Sequence, residues 1–233
     1  MPLVVTEVNG DDLRQHKGII STPNCCTVPL VLALAPLMRE RTIRRVVVDT
    51  YQSTSGAGTA AMAELRDQTQ DVLVERPVTI QQFSRQIAFN AIPHIDSFLT
   101  DGYTKEERKM LDESRKILHE PDLAVSATCV RIPTMISHAM AVHVDFDEPI
   151  SVTDARACWE TQSGLELFDD PLNEIYPTPL ECTDQDATFV GRVRQDVSSQ
   201  NGLAFWCVTD NLRKGAALNI LQMVEWMQER DCL

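Results

Sequence analysis

The alternation of apolar and polar residues predicts a chain of β-strands with helices between them. Residues 43–50 form a β-branched run typical of a buried strand, which places Gln52 at the end of that strand. Residues 123–132 and 139–146 predict two further strands. Four apolar side chains of the last segment share one face: Met140, Val142, Val144 and Phe146.

Only a short connection separates the second and third of these strands, so we expect them to form a hairpin-like pair. Arg131 would close one strand and His138 would open the next, which brings both side chains to one end of the sheet. Such an end can form a site. Taken singly, Arg131 could be a surface ion-pair partner and His138 a polar loop residue, and these structural roles are the commoner ones.

Both ends of the chain carry further predicted elements. Two strands at residues 189–194 and 203–208 are followed by a helix at 211–228 that finishes the chain. Residues 3–5 predict a short strand, with a turn at 9–12 and no earlier element with which to pair. These two terminal pieces therefore lack obvious partners.

Residues 104–118 predict an amphipathic helix that begins with a capping box formed by Thr104 and Glu107. Most charges of this helix should be solvated, and Glu106 and Lys109 lie at the spacing of an ordinary exposed ion pair. The apolar side chains available for the core are Met110, Leu111, Ile117 and Leu118.

Two predicted helix starts carry candidate chemistry. Cys25 lies where a polar loop runs into the apolar stretch 28–37, and a helix N-terminus there would stabilise its thiolate. A single cysteine is more often a small buried hydrophobe, so the position alone does not decide the role. The glycine turn 55–58 opens an alanine-rich helix to about residue 69, and it could bind phosphate or merely redirect the chain.

Composition narrows the class of protein. The chain has 233 residues, 43% of them hydrophobic, enough for one sizeable core with or without an appendage. A net charge of −13 argues against a nucleic-acid or anionic-membrane surface. No apolar run approaches the roughly 18 residues of a membrane helix, so we expect a cytoplasmic address. Seven cysteines without zinc-site spacing predict neither a disulfide framework nor a metal site.

Five segments together closely resemble the aspartate-semialdehyde dehydrogenase family. They are Pro23-Asn24-Cys25, Thr50-Tyr-Gln-Ser-Thr-Ser-Gly-Ala-Gly58, Ile87-Ala-Phe-Asn-Ala-Ile-Pro-His94, Ser126-Ala-Thr-Cys-Val-Arg-Ile-Pro133 and Asp210-Asn-Leu-Arg-Lys-Gly-Ala-Ala-Leu-Asn219. They occur in order over nearly the whole chain. The family begins with a Rossmann-type nucleotide-binding domain, whereas this sequence has no GxGxxG-like segment, so we expect an N-terminally truncated member.

The resemblance implies reductive dephosphorylation of L-aspartyl-4-phosphate to L-aspartate 4-semialdehyde with NADPH. It assigns a thioester-forming nucleophile to Cys25, an acid/base to His138 and an orienting amide to Gln52. The implied substrate-binding residues are Arg131 for the α-carboxylate, Glu106 for the amino group and Lys109 for the phosphate, together with Asn24.

The resemblance leaves few cofactor contacts in this chain. Ser55, Gly56 and Asn211 would touch the nicotinamide half of NADP, and the remaining contacts would belong to the absent domain. We therefore expect the chain to bind NADPH feebly and to lack activity by itself. Two departures from the family pattern lie beside the implied nucleophile. Cys26 replaces the usual Ser or Thr, and Pro29 could bend the first helical turn if Cys25 were the first helical residue.

The predicted fold is α+β, with a mixed, largely antiparallel sheet covered by helices on one face. Residues 1–22 would be a remnant of the nucleotide domain, 23–209 the catalytic and dimerisation domain, and 210–233 a helix that packs on the missing domain. The strand and the C-terminal helix would leave apolar faces partly uncovered. We expect a homodimer formed through the catalytic domain. Two alternatives remain open: a reductase of N-acetylglutamyl phosphate, and a non-catalytic remnant that dimerises.

Overall fold

A computed structural model describes residues 1–232 as a six-stranded sheet with helices. The strands are β1 (Ile43–Gln52), β2 (Ala124–Arg131), β3 (His138–Phe146), β4 (Leu165–Leu167), β5 (Thr188–Gln195) and β6 (Gly202–Thr209). The helices are α1 (Thr6–Asn9), α2 (Thr27–Glu40), α3 (Thr59–Leu73), α4 (Lys105–Ile117), α5 (Val152–Glu160), α6 (Pro179–Cys182) and α7 (Leu218–Glu229). Five strands and the helix α4 confirm sequence predictions to within about two residues, whereas β4, α5 and α6 were not predicted.

The sheet is mixed, as predicted, with strand order β2-β1-β3-β6-β5-β4. The central pairs β1–β3, β3–β6 and β6–β5 are antiparallel, while the outer pairs β1–β2 and β5–β4 are parallel. The predicted hairpin of β2 and β3 is wrong, because β1 lies between these two strands. The connection after β2 therefore crosses the end of β1 instead of forming a tight turn.

Helix α2 forms the centre of the core. The residues from Thr27 to Leu37 are buried, so the helix is enclosed on all sides rather than amphipathic. It packs beside the sheet and beside α4 and α5, and the indole Nε1 of Trp159 on α5 donates a hydrogen bond to its Ala33 carbonyl at 2.9 Å. The main apolar cluster joins this helix to the inward side chains of β1, β3 and β6.

The predicted capping box of α4 is present. The Thr104 hydroxyl accepts from the Glu107 amide at 3.3 Å, and the Glu107 carboxylate accepts from the Thr104 amide at 2.7 Å. The expectation that most charges on this helix are solvated is wrong at its first turn, because Glu106 and Glu107 are both buried. The other carboxylate oxygen of Glu107 accepts a hydrogen bond from the Cys129 amide of β2, so this side chain has a structural role.

The predicted strand at residues 3–5 does not form. Leu3 makes only an isolated bridge to Ser21, and the chain turns at once into α1. The predicted turn at 9–12 is instead the end of α1 and a 3₁₀ turn, Gly10–Gln15. Residues 3–5 are apolar because they are buried and not because they form a strand: Val4 and Val5 are fully enclosed.

The two ends of the chain pack against each other. Val4, Leu13, Met223 and Met227 form a small separate apolar cluster. Lys214, which is fully buried in the π-helical turn before α7, donates to both carboxylate oxygens of Glu7 at 2.7 Å. The opposite face of α7 is open, and about half of each of three apolar side chains is exposed: Ile220, Leu221 and Val224. No helix within residues 1–232 is long and apolar enough to cross a membrane.

Candidate active site

The strand register brings three predicted site residues to one end of the sheet. Gln52, the last residue of β1, pairs with Arg131 at the end of β2 and with His138 at the start of β3. The predicted neighbourhood of Arg131 and His138 therefore exists, although the two strands are not adjacent. The three side chains are at least nine-tenths buried.

Cys25 and Cys26 stand above this strand end at the start of α2. The helix begins at Thr27 with Cys26 as its N-cap residue, which confirms that Cys25 lies at a helix N-terminus. Pro29 thus falls in the first helical turn, where backbone N–H groups have no partner within the helix. The expected bend at Pro29 required Cys25 to be the first helical residue, and this condition is not met.

The two cysteines differ in ionisation. A hydrogen bond from Cys26 holds the pKa of Cys25 well below its usual value, and the charge of His138 adds to this effect against the opposing cost of burial. Burial raises the pKa of Cys26 well above its usual value, and its hydrogen bond to Cys25 acts in the same direction. Cys25 is therefore the thiolate and Cys26 the thiol that donates to it.

The neighbours of His138 determine where its neutral ring carries the proton. The Ser53 backbone N–H donates to Nδ1 at 3.1 Å, and the Ser53 hydroxyl lies 3.0 Å from the same atom. Because Nδ1 accepts a backbone hydrogen bond, we assign the proton of the neutral imidazole to Nε2. Nε2 has no hydrogen-bond partner within residues 1–232, and a ring nitrogen of His138 lies within 4.8 Å of both cysteine sulfurs.

Arg131 carries a guanidinium group that is free to bind an anion. Its Nη1 donates to the Ser53 carbonyl at 2.6 Å, and no carboxylate of the described chain lies within ion-pair distance. Gly56 is close to this group and to His138. A Cβ at Gly56 would lie 2.9 Å from Nη1 of Arg131 and 3.0 Å from Nε2 of His138. Glycine at this position therefore keeps the space beside both side chains open.

Glu106 joins the substrate-binding candidates into one network. Its Oε1 accepts from Asn24 Nδ2 at 2.8 Å and from Gln52 Nε2 at 3.1 Å, while its Oε2 accepts from Lys109 Nζ at 3.4 Å. Lys109 is also bound to Asp96 at 3.2 Å and remains nearly half exposed. Gln52 Nε2 additionally donates to Cys26 Sγ at 2.7 Å, so the network ends at the cysteine pair.

Asn24 contacts protein groups through its side chain and its backbone. Besides the contact with Glu106, the side-chain Oδ1 of Asn24 accepts a hydrogen bond from the Cys26 backbone N–H at 2.8 Å. The backbone N–H of Asn24 donates to the Glu113 carboxylate at 2.7 Å. These bonds fix the loop that carries Cys25. The structure therefore shows a positioning function for Asn24, while direct substrate contact by this residue remains a prediction.

Two of the predicted cofactor residues, Ser55 and Asn211, lie on the Nδ1 side of His138, and Gly56 lies beside its Nε2. Asn211 Oδ1 accepts from the Ser55 hydroxyl at 3.0 Å, from the Ser53 hydroxyl at 3.3 Å and from the Ser137 amide at 3.0 Å. Ser55, Gly56 and Asn211 thus lie next to the catalytic candidates. The structure brings all ten predicted site residues into one connected region.

Sequence reasoning missed two residues that shape this region. Ser53 contacts both His138 and Arg131, and its position directly after Gln52 at a predicted strand end was the available signal. Gly215 lies so close to Cys25 that a Cβ there would come within 3.2 Å of the Cys25 Cβ. No sequence signal relates Gly215 to Cys25, because the contact joins two distant helix starts.

Comparison with known proteins identifies the family. A family model described as "Semialdehyde dehydrogenase, dimerisation domain" matches residues 34–214. The aspartate-semialdehyde dehydrogenase of Aquifex aeolicus is 46% identical over 228 residues, which are 97% of this chain and 67% of the relative. The chain belongs to the aspartate-semialdehyde dehydrogenase family. The Bacillus subtilis aspartate-semialdehyde dehydrogenase is similarly related, at 44% identity over 98% of this chain and 68% of the relative.

Solved structures of aspartate-semialdehyde dehydrogenases share the fold. Aspartate semialdehyde dehydrogenase II from Vibrio cholerae, determined in complex with ASA, is 43% identical and superposes with a TM-score of 0.94. That match covers 98% of this chain and 68% of the other chain. A more distant likeness in fold alone, at 23% identity and a TM-score of 0.74, is to the Candida albicans enzyme with NADP. The chain spans about two thirds of the length of these relatives.

Proposed function

We propose that this chain carries the catalytic residues for NADP-dependent reductive dephosphorylation of L-aspartyl-4-phosphate to L-aspartate 4-semialdehyde, through a thioester on Cys25, and that it does not complete the reaction by itself. This reaction serves lysine, methionine and threonine biosynthesis in the cytoplasm. The proposal depends chiefly on one observation, the meeting of Cys25, His138 and Arg131 at a single strand end. Membership of the family and the ionisation of Cys25 support it.

The thiolate of Cys25 attacks the acyl carbon, a carbon–sulfur bond forms, and the bond to phosphate breaks with its electron pair leaving on phosphate. His138 donates its Nε2 proton to the acyl oxygen in each tetrahedral intermediate and takes it back when the carbonyl re-forms, and Gln52 orients the intermediate. NADPH, when bound, supplies the hydride that reduces the thioester carbon. Breakage of the carbon–sulfur bond then releases the aldehyde and restores the thiolate.

The polar groups of the site match the substrate. Arg131 offers parallel donors to the α-carboxylate, and buried Glu106 offers its negative charge to the ammonium group. Lys109 is exposed enough to reach a phosphate. The N-acetylglutamyl alternative fits less well, because an acetylated amine would present no positive charge to Glu106.

The cleft also suits the nicotinamide end of NADP. The space beside Gly56, which a Cβ would fill, lies next to His138 and is bordered by Ser55 and Asn211. Backbone approach of this kind is a common reason for glycine at a cofactor site. These three residues would hold the reactive end of the cofactor against the thioester.

Selective labelling of Cys25 by iodoacetamide is the first expected result. The rate at Cys25 should stay nearly constant from pH 9 down to pH 7 and fall only below the lowered pKa, because the thiolate is the reactive form. Burial raises the pKa of Cys129 and of Cys182 to about 12, so both should react slowly. Peptide mapping measures each site. Slow, uniform labelling of all thiols would instead support a non-catalytic remnant.

Weak cofactor binding is the second expected result. We propose that residues 1–233 alone bind NADPH with a dissociation constant above about 1 mM, because only three implied contacts lie in this chain. Titration of the purified chain by calorimetry or fluorescence measures this constant. Binding in the micromolar range would contradict the proposal.

We also propose that the protein forms a homodimer through the catalytic domain. The face of the sheet opposite α2 carries partly exposed aromatic side chains, including Tyr51 and Trp206, whose ring centroids lie 5.3 Å apart. Such residues are enriched in protein interfaces. Sedimentation equilibrium distinguishes a dimer from a monomer directly.

A further inference from the structure

The cysteine pair at the start of α2 contains a thiol that the proposed reaction does not consume. Cys25 is partly exposed, whereas Cys26 is completely enclosed and accepts a hydrogen bond from Gln52. The two Sγ atoms lie within 4.8 Å of each other. An oxidant that reaches Cys25 therefore finds beside it a second thiol that solvent does not reach.

Cys25 has the surroundings of an oxidation-sensitive cysteine. It lies just before the first residues of α2, where free backbone N–H groups favour an anion, and the thiol of Cys26 donates a hydrogen bond to it. The thiolate is the form that hydroperoxides oxidise, and partial exposure lets them reach it. Burial raises the pKa of the partly exposed Cys158, which therefore stays protonated and reacts slowly.

We propose that Cys25 and Cys26 form a reversible disulfide when a hydroperoxide oxidises Cys25. The thiolate sulfur attacks one peroxide oxygen, the O–O bond breaks, and Cys25 becomes a sulfenic acid while the other oxygen leaves as hydroxide. The Cys26 sulfur then attacks the Cys25 sulfur, the S–O bond breaks, and the Cys26 proton leaves with that oxygen as water. The two sulfurs lose two electrons in total, and the peroxide gains them.

Cys26 is well placed for the second step. Its S–H donates towards the Cys25 sulfur, so the attacking atom and the proton both lie beside the group that must leave. Because Cys26 is completely enclosed, a peroxide molecule does not reach its sulfur directly. The pair therefore stops oxidation at the disulfide, before the irreversible sulfinic acid forms on Cys25.

The disulfide is strained, which makes it easy to reduce. Adjacent residues have Cα atoms about 3.8 Å apart, below the usual disulfide range of about 4.4–6.8 Å. Closing the ring also pulls Cys26 away from its place as the N-cap residue of α2. Strained disulfides have high reduction potentials and are labile towards thiols. Oxidation thus blocks the proposed nucleophile reversibly, and it needs neither acyl phosphate nor NADPH.

Mass spectrometry of the reduced, purified chain tests the proposal. Trypsin releases residues 18–39 as one peptide that contains both cysteines and no other. About one equivalent of hydrogen peroxide should lower the mass of this peptide by two hydrogen atoms, and dithiothreitol should restore it. Cys158 should react at least about ten times more slowly in the same sample.

Cys26→Ser and Cys26→Thr are the matched variants. Each leaves Cys25 without a resolving thiol, so dimedone should capture a sulfenic acid there, and excess peroxide should add two or three oxygen atoms to the Cys25 sulfur. Unreacted Cys25, overoxidation of the unsubstituted protein equal to that of the variants, or a disulfide from Cys25 to a second chain would overturn the proposal. None of these readouts depends on turnover, so their outcome is separate from that of the proposed dehydrogenase chemistry.

Discussion

Replacement of Cys25 by serine is expected to abolish a burst of inorganic phosphate when the protein is mixed with freshly prepared aspartyl phosphate. The unsubstituted protein should release about one equivalent per chain without NADPH, because the thioester forms and then waits for hydride. Loss of a covalent nucleophile slows such steps by roughly 10⁴-fold or more. Rapid quenching with phosphate analysis measures the burst.

Two cysteine variants serve as controls for this experiment. Cys26→Ser should keep a full burst, because a serine hydroxyl can also donate the hydrogen bond that lowers the pKa of Cys25. Cys158→Ser should keep both the rate and the amplitude. If Cys25→Ser kept the burst and Cys26→Ser lost it, the two neighbouring sulfurs would have the reverse roles from those proposed.

Lys214→Met is expected to destabilise the protein by about 3–5 kcal/mol, the usual cost of leaving one charge of a buried pair without its partner. The Lys214 ammonium is completely enclosed and binds both oxygens of Glu7 at 2.7 Å and the side chain of Gln222 at 2.6 Å. Removal of this ammonium group leaves the Glu7 carboxylate charged, largely buried and without its ion-pair partner. Urea unfolding followed by circular dichroism gives the free energy of unfolding.

A matched surface pair provides the comparison. Arg44 forms an ion pair with Asp147 while both side chains are substantially exposed, so Arg44→Met should cost no more than about 1 kcal/mol. The double variant Glu7→Gln/Lys214→Met should recover much of the loss, because neither charge is then stranded. Equal costs for Lys214→Met and Arg44→Met would contradict a structural role for the buried pair.

Local patterns predicted most of the elements because each pattern reports the environment of its own segment. The alternation in β3 and the capping box of α4 are examples, and both are present. The same patterns do not report which strands are neighbours. The hairpin of β2 and β3 was therefore wrong, since the insertion of β1 between them depends on pairings across long stretches of chain.

The candidate site was predictable where chemistry and strand ends coincide, as at Gln52, Arg131 and His138. The site residues that act through their burial, or through backbone contact with a neighbouring residue, were not predictable. Ser53 determines the proton position of His138 through a backbone amide, which no side-chain pattern reveals. Glu106 resembled an exposed helix charge because its spacing to Lys109 is also that of a surface pair, and only the packing of α4 against the cysteine loop encloses it.

The central place of β1 has a consequence for how the chain folds during synthesis. Its two partners, β2 and β3, are made much later, so β1 leaves the ribosome with both edges unpaired. Distant pairings of this kind slow folding and favour aggregation of incomplete chains. We therefore expect slow refolding for a protein of this size and a dependence on chaperones, with the Cys25 thiol among the last groups to reach its final surroundings.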